Sequence, residues 1–377
     1  MNGIRRREFL GTLGLGACAV AGGGLVPATL LAEENFLDSP YVREALFYEQ
    51  LDDGRVRCHL CPRECVVAPG QRGYCRVRQN HEGKYYTVVY GRVCAYHVDP
   101  IEKKPLFHVL PGTTAFSIAT VGCNMACKFC QNWEISQEMP EGVGATEMSP
   151  ERLAGAALRY GSPALAYTYT EPNVYYEYVL DCAARGHEEG LKSVVISAGY
   201  IKEEPLRRLI SSVDAIKIDL KSFSDDFYRD ICDTRLAPVL DTISTIREQG
   251  RWLEIVNLMI PTLNDDEKQV DAMCKWIVEN LGDDVPIHFT RFYPKYKLNN
   301  LPPTPVSTVE KAREIAIGRG LKFAYVGNVP TGNPGESTYC PGCGEVVIRR
   351  AGYTVVSMNL KDGKCGTCGT PVPGVWS

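Results

Sequence analysis

Eight residues constrain this chain more than any others: Cys123-Asn124-Met125-Ala126-Cys127-Lys128-Phe129-Cys130. Three thiols stand at C-x3-C-x2-C spacing, directly after an apolar, strand-like run from Ala115 to Val121. A loop of this length can wrap one corner of a cubane. Full cysteine ligation of a [4Fe–4S] cluster takes four thiolates, so three leave one iron open for chemistry. The competing readings are a zinc site or unrelated core cysteines. Zinc sites favour paired C-x2-C knuckles and four ligands.

The chain has 377 residues, enough for two or three domains with an ample core. Its net charge is −4 and its basic residues are dispersed, which argues against a nucleic-acid footprint or a polybasic membrane patch. Sixteen cysteines are the departure from ordinary composition, and most fall in three groups. Cys58, Cys61, Cys65 and Cys75 precede the central loop; Cys340, Cys343, Cys365 and Cys368 close the chain. Short paired spacings read as metal ligation rather than as a disulfide framework. Cys18, Cys94, Cys182, Cys232 and Cys274 are scattered and read as small buried hydrophobes.

Residues 1–32 read as a signal rather than as part of the fold. Arg5-Arg6-Arg7-Glu8-Phe9-Leu10 precedes a Gly/Ala/Leu-rich stretch, a basic region followed by an apolar one. Arg6-Arg7-x-Phe9-Leu10 resembles a twin-arginine export signal. Leu15-Gly16-Ala17-Cys18 also resembles a lipobox, with Cys18 as a lipidated terminus. The expectation is a periplasmic or membrane-anchored protein with no permanent membrane span; a retained signal on a cytoplasmic protein is the alternative.

Residues 41–112 form a Cys-rich segment. Tyr41 to Glu49 suggests a helix, and Tyr85 to Arg92 a strand. Between them, Cys58-His59-Leu60-Cys61-Pro62-Arg63-Glu64-Cys65 and Cys75 are separated by Gly and Pro turns that let four thiolates fold round a metal. A zinc knuckle, an auxiliary iron–sulfur cluster and partial ligation all fit this spacing. The Lys103-Lys104 pair is either a solvated face or a holder of an anionic group.

Residues 113–330 alternate strand-like runs with amphipathic segments, the pattern of βα units on a parallel sheet. The expected strands are Ala115–Val121, Ala164–Thr170, Ser193–Ser197, Ala215–Leu220, Leu253–Ile260 and Pro286–Phe292. One helix opens at Ser149-Pro150, an N-cap with proline at the first position. Another starts near Asn264-Asp265. Six units make an α/β fold, a partial (β/α)6 TIM-like barrel whose site lies at the carboxyl ends of its strands. The polar motifs fall at those ends. Lys217, Asp219 and Lys221 alternate onto one strand face, where they must pair with each other or with a ligand. His288 is either a ligand contact or a satisfied core histidine.

Residues 336–377 carry Cys340-Pro341-Gly342-Cys343-Gly344 and Cys365-Gly366-Thr367-Cys368-Gly369. Two knuckles at this separation are the signature of a zinc-ribbon or rubredoxin-like module, with zinc favoured over iron.

Taken together, the motifs resemble the radical S-adenosylmethionine (SAM) enzymes of the AmmeMemoRadiSam system, relatives of pyruvate formate-lyase activating enzymes. The carriers are Cys58-x2-Cys61-Pro62-Arg63-x-Cys65, Asp99-Pro100-Ile101-Glu102-Lys103-Lys104-Pro105, Gly122-Cys123-Asn124-x2-Cys127-x2-Cys130-Gln131-Asn132-Trp133, Tyr167-Thr168-Tyr169-Thr170-Glu171-Pro172, Lys217-Ile218-Asp219-Leu220-Lys221 and Tyr325-Val326-Gly327-Asn328. The resemblance implies reductive cleavage of SAM at a [4Fe–4S] cluster on Cys123, Cys127 and Cys130, followed by hydrogen abstraction from a substrate. It also implies SAM contacts at Thr170, Glu171, Ser197, Asp219 and Lys221. Asn257 is a candidate grip on adenine, and His288 on the SAM carboxylate or the substrate. A reductant protein and partner proteins of the same system are expected. The rivals are a glycyl-radical-enzyme activase and a non-catalytic iron–sulfur and zinc protein.

Overall fold

The computed structural model describes residues 36–377. The signal-like motifs and Cys18 lie outside them. Among the described residues, no helix is long and apolar enough to cross a membrane. Pro40–Ser377 packs as one unit.

Its centre is an eight-stranded sheet: β1 (Ala95–Pro100), β2 (Thr114–Ala119), β3 (Ala164–Tyr167), β4 (Lys192–Ser197), β5 (Ala215–Asp219), β6 (Trp252–Met259), β7 (Ile287–Arg291) and β8 (Ala324–Gly327). The spatial order is the chain order, with β1 and β8 at the edges. From β2 to β8 every pair is parallel. Only β1 runs antiparallel, pairing Ala95 with Ala119 and Pro100 with Thr114. The six expected strands form within one to three residues of their expected ends. β1 escapes the sequence reading because Tyr96 and Val98 are exposed, so it lacks a buried apolar run.

Helices cross between the parallel strands, as parallel pairing requires: α1 (Pro150–Arg159), α2 (Tyr176–Glu188), α3 (Glu203–Ser212), α4 (Asp225–Cys232), α5 (Ala237–Glu248), α6 (Glu267–Leu281) and α7 (Val306–Gly318). Ser149 caps α1 by accepting from the Arg152 amide at 3.3 Å. Asp266 caps α6, taking the Lys268 and Gln269 amides at 3.1 Å. Small residues such as Ala115, Ala164, Ala166 and Ala215 share a core cluster with Val194 and with Ile101, Leu106 and Val109.

The segment before the sheet corrects one expectation. Residues 41–49 are not a helix but two short strands, Arg43–Glu44 and Tyr48–Gln50. The Ala45 amide goes to the Tyr85 carbonyl and the Leu46 amide to Glu177, while Phe47 takes a positive φ of 58°. Partners distant in sequence hold these amides out of helical bonds. The expected strand from Tyr85 to Arg92 is likewise shorter, Lys84–Thr87, in a hairpin with Arg78–His81.

After β8, Val346–Ala351 and Thr354–Met358 form the ribbon's hairpin. The ribbon is fastened to the sheet by a shared apolar cluster of Phe107, Phe323, Tyr325, Val347, Ile348 and Val372.

Candidate functional site

The cysteine loop leaves β2 through Gly122, whose φ is +103°. A Cβ there would sit 2.6 Å from Val77 and 2.7 Å from the Cys75 carbonyl, so only glycine fits. The loop is then pinned from three sides. Asn124 donates to the Tyr200 carbonyl at 2.7 Å. The amides of Ala126 and Lys128 donate to the carbonyls of Cys232 and Ile231, at the end of α4. Asn132 donates to the Tyr169 carbonyl at 2.7 Å, tying the loop's exit to the turn after β3. Cys130 lies 3.2 Å from the Ser136 hydroxyl. Burial pushes the Cys123 and Cys130 thiols up, whereas the neighbouring Cys232 holds Cys127 below the ordinary thiol value. Cys232, read from sequence as a core residue, therefore stands beside the loop. Its separation from Cys127 in the chain concealed it.

The strand ends beside this loop carry most of the expected residues. Glu171, after β3, is buried and accepts from the Ser197 hydroxyl at 2.7 Å, the Ala198 amide at 2.9 Å and the Asn173 amide at 3.3 Å. The last bond caps the turn Pro172–Tyr175. Burial raises the Glu171 carboxyl, and its charge in turn faces Cys123. Thr170 donates to the Thr120 carbonyl at 2.8 Å. After β5, Asp219 is paired with Lys217 and, at 3.4 Å, with Lys221. Burial alone would raise Asp219; the two ammoniums outweigh it and hold the carboxyl below its usual value. Burial works against the charge of Lys221, but Asp219, Cys127 and Cys232 overcome it and raise its pKa. Thus Lys221 links the β5 end to the cysteine loop. Asn257 donates to the Leu220 carbonyl at 2.8 Å. Three buried amide oxygens, of Asn124, Asn173 and Asn257, have no hydrogen-bond partner among the described residues.

Lys104 is buried, at 4% exposed, and bonds Asp99 and the Tyr169 hydroxyl, so it is not a solvated face; Lys103 holds the other Asp99 oxygen from the exposed side.

His288 falls in a different cluster, near the start of β6. Glu254 there accepts from His288 at 2.7 Å, from the amides of Phe107 and His108 at 2.9 Å each, and from Trp252 at 3.2 Å. The ring of His288 stacks on Tyr325 and meets Phe107 edge-on. His288 is therefore not brought together with the cysteine loop.

The C-terminal quartet is compact. Cys340 and Cys368 sulfurs are 3.5 Å apart, Cys343 and Cys365 3.8 Å, and all four lie within 4.8 Å of one another. Ligands at about 2.3 Å round a tetrahedral zinc ion stand roughly 3.8 Å apart, so the quartet suits one ion. Hydrogen bonds from Thr370 lower the Cys368 thiol to about 6. The N-terminal quartet instead lines one cavity together with Arg78, Tyr85 and Asn124. Burial raises Cys58 to about 12 and Cys61 to about 11.

Residues 117–274 match the model of the Radical SAM superfamily. The uncharacterized protein MJ0808 of Methanocaldococcus jannaschii is 46% identical over 333 residues, covering 88% of this chain and 99% of that protein. The chain belongs to the radical SAM superfamily. Within the superfamily it is similar to the pyruvate formate-lyase-activating enzyme of Listeria monocytogenes, at 23% identity over 43% of this chain and 68% of that one. It is also similar to the benzylsuccinate synthase activating enzyme of Thauera aromatica, at 21% over 51% and 62%. Among solved structures, a radical SAM methyltransferase from Sphaerobacter thermophilus aligns with a TM-score of 0.46 at 15% identity, over 80% of this chain and 82% of that one. Membership of this radical SAM superfamily implies an enzyme with a [4Fe–4S] cluster and SAM. The residues fit both: three loop thiols that do not converge on one ion, and buried amide oxygens left for a ligand's donors.

Proposed function

We propose that the chain cleaves SAM reductively at a cluster held by Cys123, Cys127 and Cys130 and abstracts hydrogen from a substrate bound at the carboxyl ends of a partial barrel. The observation that carries this reading is the convergence of separate strand ends on the cysteine loop: Lys221 lies 5.6 Å over the Phe129 ring, and Asn132 ties the loop to the turn that carries Glu171. When bound, the cluster supplies the electron that splits SAM into methionine and a 5′-deoxyadenosyl radical. The chain's residues hold and orient. Glu171 offers carboxylate oxygens to the SAM ammonium, fixed in direction by Ser197 and the Ala198 amide. Thr170 presents main chain beside it, its hydroxyl being committed to Thr120. Asp219 and Lys221 add charge beside the loop, and the Asn257 oxygen, unpartnered among the described residues, suits the adenine amino group. Zinc in the C-terminal quartet is structural, since all four ligand positions are filled by sulfur.

The names of the Listeria and Thauera relatives favour a second reading, in which the hydrogen comes from a glycine of a partner enzyme. Both readings need a reductant protein. Partners of the AmmeMemoRadiSam system and a twin-arginine export route belong to this proposal too.

The test is anaerobic: protein lacking residues 1–32, reconstituted with iron and sulfide, is given dithionite and SAM. The expected product is 5′-deoxyadenosine. A fully loaded protein that binds SAM but forms none without a partner points to the activase reading. One that binds no SAM overturns both.

A further inference from the structure

We infer that Cys58, Cys61, Cys65 and Cys75 hold a second iron–sulfur cluster, ligated by four thiolates and set against the catalytic loop. The first argument is the contrast between the two quartets. Among the described residues, the C-terminal quartet is the one set of Cys, His, Asp or Glu side chains whose ligand atoms gather within 4.8 Å. No three of the N-terminal sulfurs do so, although all four line one cavity. A single tetrahedral ion would draw the sulfurs to roughly 3.8 Å. Thiolates on a four-iron cluster bind different irons on the outside of a cube, so they stand further apart. The three sulfurs of Cys123, Cys127 and Cys130 share this wider spread.

The second argument is charge. Arg78 lines the same cavity and is 1% exposed. One arm of its guanidinium meets Glu177 at 2.6 Å, while Nε and Nη1 have no hydrogen-bond partner among the described residues. Buried N–H groups left unmade are costly. Thiolate and sulfide acceptors in the cavity would take them, and an anionic cluster would balance the cation. A four-iron core of charge 2+ with four thiolates carries a net 2−.

The third argument is position. Asn124, between Cys123 and Cys127, lines this cavity. Arg63 donates to the Asn124 carbonyl at 2.6 Å. The Gly122 position touches the Cys75 carbonyl and Val77. Residues 122 and 124, on either side of Cys123, thus contact the segment that carries the second set. With four thiolates the second cluster has no open iron and binds no SAM. Its role is a one-electron relay: its core goes from 2+ to 1+ on taking an electron from a low-potential protein donor. It returns to 2+ on passing that electron to the catalytic cluster. The relay rests on the proposed function; the site does not.

The experiment compares two proteins after anaerobic reconstitution: the wild-type chain, and the Cys123→Ala/Cys127→Ala/Cys130→Ala variant. Iron, sulfide and zinc are counted, and EPR spectra are taken after dithionite. The inference expects about eight irons in the wild type and about four in the variant, each with one zinc. It also expects the reduced wild-type signal to be broadened by its neighbour relative to the variant's. A variant without iron, with two zincs or with one, overturns the site. A wild-type signal that is unbroadened while both clusters are reduced overturns the relay alone. Loss of deoxyadenosine in a protein holding eight irons counts against the proposed function and leaves the second cluster standing. A Cys61→Ser/Cys65→Ser variant checks the assignment from the other side: it keeps about four irons and still binds SAM.

Discussion

The two ends of the parallel sheet are built from the same strands but spend buried polarity differently. At the amino ends, charges face charges inside the protein, although the Arg350 Nε and one Glu102 oxygen have no hydrogen-bond partner among the described residues. Glu254 gathers four donors from three segments. Arg350 donates to Thr338 at 2.8 Å and to the Phe107 carbonyl at 2.7 Å, lies over the Phe107 ring and stands 3.5 Å from Glu102. A neutral His108 completes the chain: its Nδ1 donates to the Pro373 carbonyl at 2.7 Å and its Nε2 accepts from the Tyr325 hydroxyl at 2.6 Å. At the carboxyl ends, Glu171 and the Asp219 pairs stand beside amide oxygens that nothing in the described chain satisfies. The amino ends pair opposite charges with each other, whereas the carboxyl ends place theirs beside the cysteine loop, where the proposed function puts a ligand.

This division is testable from its largest consequence downward. Cys127→Ala removes a loop ligand and is expected to abolish deoxyadenosine formation while leaving one zinc per chain and the thermal midpoint intact. Persistent cleavage would show that the loop is not the cluster site. Glu171→Gln keeps shape but removes charge. SAM affinity should fall roughly ten- to a hundredfold, as for loss of a charged hydrogen bond. Equilibrium binding checks this, and a large fall in thermal midpoint with unchanged affinity would erase the distinction between the two ends. Arg350→Met strands Glu102 at the opposite end and should cost roughly 3–5 kcal/mol of stability. Denaturant melts measure it, and deoxyadenosine yield per folded chain should not change. The last prediction concerns pH. Burial lowers His108 to about 4 from an ordinary 6.5. The unfolded chain therefore binds the extra proton between these values, so stability rises with pH across that window and is lost on acidification. The loss is at most about 3 kcal/mol. His108→Asn should flatten the profile between pH 4 and 6.5, and a profile of unchanged steepness would assign the acid sensitivity elsewhere.

The same division explains what the sequence disclosed. The cysteine loop, Thr170-Glu171 and the Lys217–Lys221 run are local motifs at the ends of apolar strands, so position and chemistry are written together. So is the cap at Ser149, which needs only a neighbour three residues away; the helix expected near Asn264-Asp265 is capped at Asp266 instead. The Glu254–His288 pair spans 34 positions and Arg63–Asp233 spans 170, and no periodicity announces either. Residues 41–49 fail for the same reason: Glu177 and Tyr85 decide their backbone. Cys232 looks like filler until α4 delivers it to Cys127.

The floor beneath the sheet carries a kinetic consequence. The Arg350 bond to Phe107 closes a span of 243 residues, and the His108 bond to Pro373 one of 265. Such closures are slow to find, because their chain entropy is lost before any contact repays it. The strands can pair with their neighbours in order of synthesis, but the floor waits for the ribbon. Refolding should show a late phase that Arg350→Met slows little, if the ribbon docks last, and whose amplitude reports that docking.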